Sequence, residues 1–150
     1  MNRYVSPTLA VPPRNDLSDH DRVDLELRGV DHSAGSYAVR VFVDAPDADV
    51  ETQLDGNSAY AGSFYIFGHG PCLGDEGHCD VRRGPINPYD YRLPHQLTPQ
   101  YHRLQITGPV RNHAQSETFT VTLVAVENQD GQSVASDLLA FARLSVVAYS

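Results

Sequence analysis

A chain of 150 residues is the size of one ordinary domain, long enough to bury roughly two thirds of the surface its unfolded form exposes. Its 19 acidic and 11 basic residues give a net charge of −8, which argues against a nucleic-acid surface, because neutralising phosphates takes clustered Lys and Arg. No apolar run approaches the roughly 20 residues of a membrane helix, and all the basic residues are Arg, a bias read mainly as a coding preference that also suits bidentate pairing with carboxylates at an interface.

The start, "MNRYVSPTLAVPPRNDLSDHD", lacks the charged-then-apolar pattern of a signal peptide and reads as a proline-bearing N-terminal arm over residues 1–22. The expectation is a cytoplasmic chain as written, unless it is exported with a partner that carries the signal. In a reducing compartment Cys72 and Cys79 rest as thiols unless they bind metal or serve redox chemistry. "DHDRVD" collects Asp19, His20, Asp21 and Asp24, a set that suits a hard cation but sits at a strand entrance, where acids are ordinarily solvated.

Strand periods then recur along residues 23–150. In "RVDLELRGV", Val23, Leu25 and Leu27 alternate with Asp24, Glu26 and Arg28, as in a half-buried strand. "SYAVRVFVDA" sets Tyr37, Val39, Val41 and Val43 on one face, "AYAGSFYIFG" is aromatic and β-prone, and "HRLQITG" alternates Leu104 and Ile106 with polar neighbours. "ETFTVTLVAVEN" opposes Phe119, Val121 and Leu123 to three threonines; "NQDG" after it predicts a hairpin into "LLAFARLSVVAYS", which is apolar on both faces like a central strand. No helical stripe of useful length is present. The fold class expected is all-β, one antiparallel β-sandwich of six to eight strands with a long Gly-rich loop, its core holding Phe42, Phe64, Phe119 and Phe141.

That loop, "FGHGPCLGDEGHCDVRRG", contains His69, Cys72, His78 and Cys79 with Asp75, Glu76 and Asp80 among them. Thiolate and imidazole suit zinc or Cu(I), and the glycines allow several side chains to bend toward one point. The spacing matches no established zinc module, however, and the adjacent His78 and Cys79 would point to opposite faces of an extended backbone. A disulfide between Cys72 and Cys79 would close a loop of about eight residues and contribute about 2 to 3 kcal/mol in the chain-entropy model. A purely structural loop, a metal site and a mobile surface segment stay open as readings. Further on, "YDYRLPHQLTP" places Tyr89, Tyr91, Arg92 and His95 beside prolines that keep the backbone extended, which suits either display to a partner or a plain connection between sheets. Nucleophile-elbow, phosphate-loop and zinc-protease signatures are absent.

The succession "SYAVRVFVDA", "AGSFYIFG", "YDYRLPHQLTP", "ETFTVTLVAVENQDGQSV" and "LLAFARLSVVAYS" resembles the C-terminal β-sandwich domain that follows the dicopper helical domain in molluscan haemocyanins and tyrosinase-like polyphenol oxidases. The similarity spans residues 23–149, and "YAGSFYIFGHG" is its most specific piece. The resemblance implies a sandwich that packs over a type 3 copper domain and limits access to it. That family holds its copper with six histidines on a helical bundle; here His20, His32, His69, His78, His95, His102 and His113 form no i, i+4 pair on an amphipathic helix. The expected function is therefore a non-catalytic accessory module that docks on or covers a type 3 copper oxidase, with no catalysis by this chain alone. Cysteines that pass copper to dicopper sites occur among related oxidases. The alternative is accordingly an independent copper- or zinc-binding sandwich using His69, Cys72, His78 and Cys79. A sugar-binding role is disfavoured, because sugar platforms favour Trp and the chain has none.

Overall fold

The computed structural model of the chain describes residues 1–10, 22–68, 88–89, 98–112, 117–127 and 138–149. Within them run, in order, β1 (Arg3–Val5), β2 (Leu9–Ala10), β3 (Arg22–Val30), β4 (Tyr37–Val43), β5 (Tyr60–Ile66), β6 (Gln100–Gln105), the short helix α1 (Thr107–Asn112), β7 (Thr118–Phe119), β8 (Val121–Glu127) and β9 (Arg143–Tyr149). The strands form a four-stranded sheet ordered β1-β8-β4-β5, a three-stranded sheet ordered β6-β3-β9 and a short β2-β7 pair, with every pairing antiparallel.

Period-2 alternation builds both layers. Tyr37, Val39, Val41 and Val43 of β4, with Val121, Leu123 and Ala125 of β8, meet Val23, Leu25 and Leu27 of β3 in one buried cluster. Val110 of α1 and Ile106 just before that helix belong to the same cluster, and Tyr4 of β1 meets Phe141 edge-on at 5.0 Å. Phe42 points the other way, into a small second cluster with Ala48 and Val124 on the outer face of the four-stranded sheet. Phe42 and Phe119 are fully buried, while Phe64 and Phe141 are partly buried against the main core, as the sequence suggests.

Two strand expectations are corrected. β9 lies at the edge of the three-stranded sheet and is half-exposed, not central, because β3 fills the middle of that layer. Nor do β8 and β9 make a hairpin: β8 pairs with β4 and β1 in one sheet and β9 with β3 in the other, so the chain passes between layers instead of reversing within one.

A bulge shapes the far end of β3. Strict alternation would put Val30 on the solvent face with Arg28, yet the pairing slips between these residues and Val30 is fully buried. Gly29 sits at the slip with φ of 68°, and a Cβ there would come within 2.7 Å of the Ala142 Cβ, so glycine serves both backbone and packing. Asp44, with φ of 50°, ends β4 and holds the break between β7 and β8, its carboxylate accepting from the Thr120 backbone N–H at 2.6 Å.

The first six residues, read from the sequence as part of an arm, are tied into the sandwich. β1 pairs along β8, the Leu139 amide donates to the Met1 carbonyl at 2.8 Å, and Ser6 donates its amide to the Val121 carbonyl while its Oγ accepts from the Val121 amide, each at 2.9 Å. Replacing Ser6 by Ala leaves the buried Val121 N–H without that acceptor, and a loss of about 1–3 kcal/mol is expected. Leu25→Ala, in the centre of the core, is expected to cost about 2–5 kcal/mol. Urea denaturation followed by circular dichroism measures both. An unchanged midpoint for Ser6→Ala would show that the first strand is not docked in solution.

Candidate functional site

The polar chemistry among the described residues gathers at the end of the sandwich where the β3–β4 loop meets β6 and the exit of β5. Gly68, immediately after β5, donates its amide to Ser36 Oγ at 3.0 Å, and a Cβ on it would collide with the Ala34 carbonyl oxygen. The entrance to the Gly-rich run is thus pressed against the β3–β4 loop at a point only glycine fits.

On the other side of that loop, buried His32 is joined to β6 by a chain of hydrogen bonds with one polarity. The Thr98 carbonyl can only accept, so His32 Nε2 carries a proton and donates at 3.0 Å. His32 Nδ1 is then the acceptor for the Gln100 amide nitrogen at 3.1 Å. Gln100 Oε1 in turn accepts from His102 Nε2 at 2.9 Å. This assigns both imidazole tautomers and the amide orientation from the network. The His102 ring stacks on Phe64 of β5, centroids 5.0 Å apart and planes 24° apart, bridging the two sheets at their β5–β6 side. Burial, and then the nearness of His32, hold the His102 pKa below the ordinary imidazole value.

Close by, Tyr37 is buried and its hydroxyl has no hydrogen-bond partner among the described residues. Burial, reinforced by the Asp31 charge, pushes its pKa up to about 12. Asp31 itself is held below the usual carboxylate range by hydrogen bonds from Ser33, the backbone N–H donating at 2.9 Å.

A second polar constellation occupies the outer face of the three-stranded sheet. Asp24 is fully buried there between Arg22 Nε at 2.7 Å and Arg103 Nε at 3.4 Å. Glu26 accepts from the Tyr101 hydroxyl at 2.7 Å and from Arg28 at 3.0 Å, and these bonds lower its pKa. Asp24, placed from the sequence in a possible cation set, is therefore engaged with arginines. Its companions Asp19, His20 and Asp21 lie outside the described residues.

The candidate ligands His69, Cys72, His78 and Cys79, their neighbours Asp75 and Asp80, and the Cys72–Cys79 pairing also lie outside the described residues. So do Tyr91, Arg92 and His95 of the proposed partner-facing stretch; Tyr89 is described and is 84% exposed. Among the described residues no group of three or more His, Cys, Asp or Glu side chains is arranged to hold a metal ion. The His32–Gln100–His102 chain was not legible in the sequence, because His32 stands 68 and 70 positions from Gln100 and His102 and no local period links them.

No family model matches the sequence, and no curated protein matches it. Solved structures do match in fold. A recombinantly expressed latent aurone synthase, a polyphenol oxidase, superposes with a TM-score of 0.57 at 15% identity, covering 98% of this chain and 24% of that one. The latent aurone synthase from natural source gives 0.55 at 15% identity with the same coverage. The chain thus spans about a quarter of the length of these oxidases. A match of that extent is consistent with the C-terminal β-sandwich domain of a polyphenol oxidase alone, and at such identity it establishes the fold.

The histidine chain makes the fold acid-sensitive in a defined window. Because folding lowers the His102 pKa from 6.5, the unfolded chain takes up the proton first. The contribution is present in full above about pH 6.5 and lost as pH falls through the lowered value. Urea midpoints are expected to fall between pH 7 and pH 5, and His102→Gln is expected to flatten that slope while the slope at lower pH, from Glu26, persists. A His102→Gln profile parallel to that of the parent protein would refute the assignment.

Proposed function

We propose that the chain is a non-catalytic accessory β-sandwich that docks on or covers a type 3 copper oxidase. The observation that carries the reading is the fold match: nearly the whole chain corresponds to about a quarter of latent polyphenol oxidase chains, so about three quarters of each such oxidase lies outside the shared sandwich. Those oxidases are latent forms, which accords with a sandwich that covers a catalytic partner. Exposed aromatics at one end of the fold add support. Phe67 is 75% exposed and stands beside the pinned Gly68, and Tyr65, two residues earlier on the same outer face, is also exposed. Among the described residues the only helix has six residues, a scaffold too small for a bundle of copper-binding histidines.

Co-purification from the native source, followed by copper and zinc quantification, tests this reading. The expected result is a second polypeptide, or a further segment of the same one, that carries copper at two ions per complex, with the 150-residue chain alone failing to oxidise phenols after copper loading. Phenol oxidation by the chain alone would overturn the proposal. Stoichiometric copper or zinc on the isolated chain, lost on changing Cys72 and Cys79 to Ser, would replace it with the independent metal-binding sandwich.

A further inference from the structure

The outer face of the three-stranded sheet carries one arginine more than its buried acids account for. Read across the strands, Tyr101, Arg28 and Arg143 form one row, Arg103, Glu26 and Ser145 the next, and Gln105, Asp24 and Val147 the third, with Arg22 beside Tyr149 at the end. Asp24 and Glu26 are buried in the middle strand, and the arginines around them are held by part of their forks: Arg22 and Arg103 by Nε, Arg28 by one terminal nitrogen. The remaining guanidinium N–H groups lie at the surface. The Arg28 side chain is 58% exposed with its guanidinium 5.0 Å above the Tyr101 ring, and Tyr101 and Tyr149 are 48% and 41% exposed. Anchored in this way, the arginines lose little further freedom on binding.

The row containing Arg28 points to an anion. Arg28 and Arg143 are direct cross-strand partners, a like-charge pair that sheets ordinarily avoid, and Arg143 makes no ion pair or side-chain hydrogen bond among the described residues. Among the described residues, four arginines against two acids leave this face positive in a chain of net charge −8.

We propose that this face docks a carboxylate-rich surface of a partner protein, with acidic side chains seated between Arg28 and Arg143 and against Arg103 and Arg22. The proposal names the contact surface of the accessory module inferred above and rests on that reading. The arginines are spread over three strands instead of converging on one point, which suits several carboxylates in register better than a single phosphate. A second copy of the chain presenting the same face is disfavoured, since a two-fold contact would oppose arginine rows. Arg and Tyr are also the residues that dominate protein interfaces energetically.

The test uses the full chain and a poly-glutamate peptide at about 0.1 M salt, where a Debye length of about 10 Å hides the distant acidic surface while leaving direct contacts intact. The peptide is expected to bind. Arg143→Glu is expected to weaken binding about tenfold without lowering the thermal midpoint, because it replaces a like-charge pair with an opposite one. Val50→Ser, an exposed site off this face, is expected to leave binding unchanged. The proposal is overturned if no peptide binds, if Arg143→Glu changes affinity less than about twofold, or if it lowers the midpoint as a structural arginine would. It is equally overturned if inorganic phosphate displaces the peptide at equal concentration, or if sedimentation shows a self-associated dimer that Arg143→Glu dissolves. Repeating the substitution on a co-purified copper oxidase complex separates the two readings. Loss of peptide binding with no oxidase found sinks the accessory role and leaves the surface standing. An oxidase complex indifferent to Arg143→Glu does the reverse.

Discussion

Strand β3 is buried on both faces, and the rest of the molecule is arranged to satisfy it. Its inner face, Val23, Leu25 and Leu27, is the half of the core that meets the valines of β4. On its outer face Asp24 and Glu26 are buried as well, although Arg28 stays exposed. A buried carboxylate costs several kcal/mol unless it is paired and hydrogen-bonded, so this strand dictates what its neighbours must offer. Arg22 donates to Asp24, and Arg28 and Tyr101 donate to Glu26, while Arg103 pairs electrostatically with Asp24 Oδ2, which has no hydrogen-bond partner among the described residues. The composition of the outer face thus follows from one polar requirement in the middle of a sheet, and the surplus Arg143 is the member that this requirement does not explain.

The single slip at Gly29 couples the core to the end of the sandwich. By turning Val30 inward it brings Gln100 into line with the buried side of β3 and starts the β3–β4 loop at the right place for His32 to reach β6. The same loop, through Ser36 and Ala34, confines Gly68 at the mouth of the Gly-rich run. An interior hydrogen-bond chain, a backbone bulge and the root of the chemically richest segment are therefore mechanically adjacent, although they come from separate stretches of sequence.

A sandwich fold by itself hosts many unrelated functions, which is why the functional reading rests on the extent of the fold match and not on the architecture. The fold is shared with a portion of larger oxidases, and the features specific to this chain are superimposed on it. These are an exposed aromatic pair, Tyr65 and Phe67, beside the pinned loop root, and a positive Arg and Tyr face on an acidic domain. The aromatic pair and Arg143 are surface features that neither the core nor the hydrogen-bond ladders call for, and the proposed partner would give each a physical reason.

Alternation of apolar and polar residues, read along β3, β4, β6 and β8, determined on its own that the chain is an all-β sandwich and which valines and leucines of these strands face inward, because period 2 is a local property of an extended backbone. It did not determine who pairs with whom. β9, apolar on both faces, reads as a central strand yet lies at an edge, and it belongs to the other sheet from β8 instead of forming a hairpin with it, since alternation is the same for every partner. The burial of Asp24, the like-charged Arg28 and Arg143 and the His32–Gln100–His102 chain were decided only by tertiary structure: each depends on register between strands far apart in sequence, where a shift of one residue would place every side chain on the opposite face.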